Sequence, residues 1–470
     1  MQIPLLNGTY TDENGDIRTA YPRNLVPVPK GTGLSRGYLR PAEGIVSLGS
    51  GPGLSRGGIN WRGKCYRVMG SKFVREDADG TIITISEVGS ASSQVTLDYS
   101  FDYLGVCANG EFWLYDGSSP LVKVGDFDLK NPIDFIWVDG YFLLTDGTFL
   151  MVTDLNDPFS INPVKYGSSE ADPDPILAVV KVRNEPHVLN RYTIEVFDNI
   201  GGSGFPFGRV DGAQIQKGVV GTHMCCEFEN AVAFVGSGRN ESLAVWLAAG
   251  GNEVKISSQE IDLILEQYTE EALSTQTIQA KISKSHKHLY INLPNRTLVY
   301  DAAASRDVDE PVWFELCTSL VLTSPAQYRA KDFVYCYNRW LCADTTTAHV
   351  GYLTNTVASH WGLKVAWEFR TTIIYNEGKG AIVNEMELAV LTGRAALNVS
   401  PTVYTSYSVD GELFSTEQSQ SAGTQGDRNQ RLIWFGQGFF QHWRVQKFRG
   451  VSDSMLTIAR LEIQFDPLTV

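Results

Sequence analysis

From residue 44 to about 354 the chain runs in short apolar or alternating segments of about four to eight residues, separated by turn dipeptides. Asp-Gly or Asn-Gly stands at 79–80, 109–110, 116–117, 139–140, 146–147 and 211–212, and each pair supplies the positive φ that a tight two-residue hairpin needs. The segments group into units near 56–87, 93–124, 132–163, 176–212, 219–257, 277–317 and 327–353, a spacing of about 40 residues. A period of about 40–50 residues with about four strands per unit marks a β-propeller, in which each blade covers the apolar face of the next. Trp61, Trp113, Trp137, Trp246, Trp313 and Trp340 fall in six of the seven units, and Tyr192 takes that place in the fourth. The last unit holds only three strands, while GIVSLG at 44–49 lies outside the first. The front run is therefore expected to complete the final blade and latch the ring. Seven blades is the reading, with six or eight left open.

One stretch breaks the period. In SSQEIDLILEQYTEEALS, Ser257 and Glu260 have the spacing of a capping box, and Ile261, Ile264, Leu265 and Tyr268 follow i, i+3, i+4, i+7. A helical insertion over 257–273 is predicted, its apolar stripe packed on its own domain. After about residue 355 the strands lengthen, as in VAWEFRTTIIY, NEMELAVL and SMLTIARLEIQFD, and helical periodicity is absent. A β-sandwich over 355–470 fits, with the polar segment 415–430 as a mobile loop. Residues 1–36 hold Pro4, Pro22, Pro27 and Pro29 with little alternation, which predicts an extended arm lying along its own propeller or reaching a neighbour. The fold class is all-β: arm 1–36, propeller 37–354 with its helical insertion, then sandwich 355–470.

Composition agrees. A chain of 470 residues exceeds one ordinary core, and 44 Gly with 22 Phe, 20 Tyr and 10 Trp lean towards turn-rich β structure. Apolar runs such as ILAVV at 176–180 are far short of the ~20 residues of a membrane helix, and the start lacks a secretory pattern, so no membrane insertion is expected. Net charge is −14, and it is uneven: 10 Lys and Arg stand against 11 Asp and Glu from residue 355 onward, and 29 against 42 before it. An acidic front repels phosphate backbones, so little direct DNA contact is expected. Seven cysteines, an odd number among strand-like residues, read as buried reduced thiols.

Candidate chemistry is sparse. GTGLSRG at 31–37 and GPGLSRG at 51–57 lack the following helix and the Lys-Ser/Thr ending of a phosphate loop. His286 and His288 share a strand face and would bind zinc only if a third ligand arrived from elsewhere; a polar strand start is the plainer reading. The same holds for Cys225-Cys226 after His223. TDENGD at 11–16 and EDADG at 76–80 lack the closing Glu of a calcium loop and read as turns. No nucleophile elbow or zinc-protease helix is present. Catalytic, cofactor-binding and metal residues are each assigned as none, with no cofactor.

GYLRPAEGI (37–45), GLSRGGINWRGKCYRVMGSKFVRE (53–76), YTEEAL (268–273), LYINLPNRTLVYDAAAS (289–305), KDFVYCYNRWLCADTTTAHVGYL (331–353) and YSVDGELFSTEQ (407–418) together resemble the packaged-DNA stabilization proteins. These are the tail-hub, or head-completion, proteins of lambdoid short-tailed phages (podoviruses) of enteric bacteria. The resemblance implies a non-enzymatic virion protein, made in the host bacterial cytoplasm and placed in the tail. It implies a homohexamer ring that assembles below the portal and its adaptor ring after packaging, plugs the exit, extends the tail channel for DNA ejection, and supports tail needle and tailspike. Two other classes stay open. A carbohydrate-binding or hydrolysing propeller would bring acids and aromatics together on the central channel, and a host-side interaction protein of kelch type would act as a monomer.

Overall fold

A computed structural model describes residues 2–3, 9–13, 16–30, 37–155, 157–283, 286–324, 326–452 and 455–468. Seven antiparallel sheets follow one another from residue 55 to 354. They are blade 1 (strands within 55–87), blade 2 (96–123), blade 3 (134–161), blade 4 (176–209), blade 5 (218–255), blade 6 (277–316) and blade 7 (330–354). Two of the six dipeptides form the turn expected of them, while at 79–80, 116–117, 146–147 and 211–212 only the glycine takes positive φ. Asn109 and Gly110 both take positive φ (58° and 75°), as do Asp139 and Gly140 (49° and 88°). Those signs define the primed turn whose twist matches two right-handed strands.

Blade 7 supplies only Ala330–Cys336, Arg339–Asp344 and His349–Thr354 from its own segment, and Gly44–Ser50 pairs antiparallel with the last of these. The front of the chain thereby closes the ring, as expected from the displaced GIVSLG run. A second tie reinforces the closure. In blade 1, Arg67 donates to Glu76 at 2.6 Å, with both side chains fully buried, and to the Asp332 carbonyl of blade 7 at 2.8 Å.

The predicted insertion is helical but broken. Helix α1 (Gln259–Leu265) is capped by Ser258, one residue later than expected, whose oxygen accepts from Ile261 N–H. Ser257 instead receives Val245 N–H and donates to Asp262. Thr269 caps a separate helix α2 (Glu270–Ser274), so the i+7 residue Tyr268 lies between two short helices. Ile261, Leu265 and Leu273 are fully buried against blades 4 to 6, so the stripe does pack on its own domain.

Two sheets face each other behind the propeller. One orders Leu25–Pro29, Gly37–Pro41, Thr457–Pro467, Ala381–Leu391 and Leu432–Phe435; the other orders Ala366–Arg370, Trp443–Val451, Thr402–Ser408 and Gln418–Ser421. Between them lie Trp367, Phe369, Met386, Trp434, Phe448 and Ile463. Two expectations change here. Gln418–Ser421, inside the supposed mobile loop, pairs with Thr402–Thr405. Its side chains are mostly exposed, so this polar stretch is held as an edge strand by backbone pairing and not by apolar burial.

The front arm also differs. Its described residues 25–29, with 37–41, add two strands to the sandwich, and Leu25 and Leu39 enter the sandwich core. The segment stays on its own molecule and touches both domains: Val26 lies among Tyr290, Val299 and Phe314 of blade 6, while residues 37–41 pair within the sandwich sheet and not within a blade. The physical reason is in the prolines. Leu25–Pro29 is the sheet's outermost strand, where a missing N–H costs no ladder bond. Just before it, the chain straps the two domains together: Tyr21 hydrogen-bonds Ser258, Arg23 pairs with Glu315 at 2.6 Å, and Asn24 donates to the Ala366 carbonyl while accepting from Cys317 N–H.

Candidate functional site: the propeller channel and a histidine cluster in blade 6

The innermost strands of the blades surround an axial cavity of ≈ 350 Å³. Its polar side chains come from alternate positions of strands whose other face meets the blade core. Asp134 accepts from Thr96 Oγ1 of blade 2 at 2.6 Å and from Val179 N–H of blade 4 at 2.8 Å. Asp98 accepts from Trp137 N–H, and Asp332 accepts from Gln94 and Gln279 on either side. Each carboxylate therefore joins neighbouring blades. Burial pushes the Asp134 carboxyl up to about 7 and raises that of Asp98 despite Lys181 nearby, whereas burial drives His223 down to about 4. These acids act as struts, each held by donors from the adjoining blade.

The six tryptophans are elsewhere. Trp61 and Trp313 are buried within blade clusters, and Trp113, Trp137, Trp246 and Trp340 are half-buried against the same kind of cluster. A sugar site would need such rings facing the channel beside free carboxylates. Blade packing accounts for them instead, and the carbohydrate reading loses the feature it depended on. EDADG behaves as a turn: Glu76 belongs to the buried Arg67 pair, and Asp77 pairs with Arg75. GPGLSRG leads into the strand Ser55–Trp61, not a helix. The other glycine run, 31–36, and the turn residues 14–15 lie outside the described residues. All seven cysteines are free, and five are buried. Burial raises the thiols of Cys65, Cys107 and Cys342 well above their ordinary range.

The histidine pair has a third member that the sequence reading missed. His286 and His288 begin the strand His286–Asn292, and Asp301 ends the neighbouring strand Thr297–Asp301, directly opposite His288 in the ladder. Asp301 Oδ2 lies 2.6 Å from His286 Nδ1 and 3.2 Å from His288 Nε2. Its Oδ1 caps helix α3 (Ala302–Val308), accepting from Ala303 and Ala304 N–H. Burial alone would raise this carboxyl, but hydrogen bonds from the two imidazoles outweigh it and hold Asp301 well below the usual carboxylate range. His288 is lowered, chiefly by burial. Among the described residues, these three are the group whose ligand atoms converge for a metal ion; His223, Cys225 and Cys226 form no such group.

Residues 1–358 match the family model described as bacteriophage P22 Gp10, beta-propeller, and residues 366–466 match that described as bacteriophage P22 Gp10, beta-sandwich. The tail hub protein gp10 of Salmonella phage P22 is 26% identical over 488 residues, covering 99% of this chain and 99% of that protein. Among solved structures, the N-terminal domain of Nup159 is 9% identical with a TM-score of 0.41, over 72% of this chain and 99% of that one. PorZ of Porphyromonas gingivalis is 13% identical with a TM-score of 0.38, over 66% of this chain and 39% of that one.

Proposed function

The chain belongs to the bacteriophage P22 Gp10 family, in both its propeller and its sandwich, and from that premise we propose that it is a non-enzymatic tail-hub subunit that closes the exit of a filled phage head. The observation that carries the reading is the end-to-end match to a tail hub protein, 99% of each chain in the same order of domains. The subunit assembles as a ring, with six copies, on the adaptor beneath the portal. It extends the tail channel there and offers seats to the needle and tailspikes.

Physical features support a structural role. A latched propeller strapped to a sandwich resists deformation, because loosening either domain breaks the buried contacts of Arg67, Arg23 and Asn24. The excess of carboxylates before residue 355 disfavours coating of DNA. DNA is retained by plugging and by bridging proteins, and contact with the genome is minor. On the sandwich, Phe439 stands opposite Ile382 in the ladder, and both are exposed, 60% and 43%, beside Phe435 at 67%. Apolar side chains grouped on one sheet favour a protein partner.

The test is assembly of the purified chain with a portal–adaptor complex, followed by electron microscopy. A ring added at the adaptor end is expected. Phe439→Ser should weaken ring formation while leaving the melting temperature of the free chain within a degree or two, since exposed positions contribute little to folding. Persistent failure of the wild-type chain to bind would overturn the proposal.

A further inference from the structure

We propose that His286, His288 and Asp301 form a binding site for one first-row divalent transition-metal ion, of which Zn²⁺ is the probe, and that the ion locks blade 6 beside the inter-domain strap. The two imidazole nitrogens and the carboxylate oxygen lie within 4.8 Å of one another. They are fixed from three directions: the strand His286–Asn292 puts residues i and i+2 on one face, the ladder sets Asp301 opposite His288, and α3 begins on Asp301. A ligand set held in place before the ion arrives loses little ordering entropy on binding.

The donor chemistry selects the ion. Two nitrogens and one oxygen suit Zn²⁺ and its neighbours, whereas Ca²⁺ and Mg²⁺ call for oxygen ligands. Oδ1 of Asp301 is engaged by the Ala303 and Ala304 amides, which leaves Oδ2 to face the imidazoles. That arrangement orients the carboxylate as an outer hydrogen-bond shell does in metal sites. His286 retains 12% side-chain exposure against 5% or less for the other two, which gives the ion its entry and leaves a position for water.

The role is structural. Helix α3, whose first turn hangs on Asp301, packs against the strand Leu25–Pro29 that leads out of the strap. An ion at Asp301 would bind two blade 6 strands and this helix into one unit at the junction between propeller and sandwich. This inference stands independently of the tail-hub assignment.

The experiment uses the full chain, stripped with a chelator and titrated with Zn²⁺ by calorimetry, with Co²⁺ absorption as a report on ligand geometry. Uptake of about one ion per chain is expected, with a rise in melting temperature on binding. His286→Gln and Asp301→Asn should each weaken binding by upward of about 100-fold, the top of the range for losing even an outer-shell partner. Asn at 301 keeps the capping oxygen, and His286 is the most exposed of the three, so His286→Gln decides the matter even if the other variant folds poorly. Failure of the stripped wild-type chain to take up Zn²⁺ at micromolar concentration would overturn the site. So would variants that bind Zn²⁺ as tightly as wild type, since that places the ion on cysteines.

Discussion

Arg67 and Glu76 illustrate how single residues carry this fold. Their side chains are fully buried and 2.6 Å apart, and Arg67 also reaches blade 7. Glu76→Gln removes the carboxylate charge bonded to a buried guanidinium, which costs roughly 3–5 kcal/mol. Urea unfolding should show a lower midpoint with an unchanged slope. Asp134 gives a pH signature. Its folded carboxyl holds a proton up to about pH 7, whereas in the unfolded chain the proton leaves near ~4. Between those values the native state binds more protons, so the Asp134 contribution to stability falls as pH rises. Asp134→Asn should remove that decline from a melting-temperature profile across the same window, and an unaltered profile would refute the assignment. At this scale the sequence was partly legible. The i, i+2 histidines showed that two imidazoles share a face, but Asp301 enters only through strand register, which no local spacing encodes.

Elements repeat one lesson about what local pattern carries. Seven blades were readable because each is a local run of short strands, and in the first four units an Asp-Gly or Asn-Gly marks a turn. The latch was readable because GIVSLG had no partner in the first unit. It is also testable: a Cβ on Gly351 would stand 2.5 Å from the Val46 carbonyl of the latching strand. Gly351→Val should therefore destabilise the ring by roughly 1–3 kcal/mol or more. Amide exchange should show the loss as faster opening of 44–50 and 349–354 than of blade 3. The helical insertion was legible in position but not in its break, because the new cap at Thr269 sits inside an otherwise periodic stretch. The arm was legible only in part, for a different reason. Leu39 pairs with Ile458, and Leu25 enters a core built from the far end of the chain. The proline-bearing edge strand pairs locally with 37–41, but that strand's other neighbour lies hundreds of residues away, and an edge strand that tolerates prolines leaves only the look of an extended segment.

Taken as a whole molecule, the chain is a closed ring and a sandwich held together by its own front segment. Arg23 and Asn24 bond to both sides of that junction, so Arg23→Ala with Asn24→Ala should uncouple the domains and give two calorimetric transitions in place of one. Such coupling would transmit load between sandwich and propeller without loosening either. The channel acids fit the same account, since each bonds the blade beside it. The most direct measurement is cryo-electron microscopy of intact virions that carry this chain. A propeller and sandwich resolved in the tail, with the ring beneath the portal adaptor, is what the account predicts. Virions whose tails lack this chain, yet which retain their DNA, would contradict it.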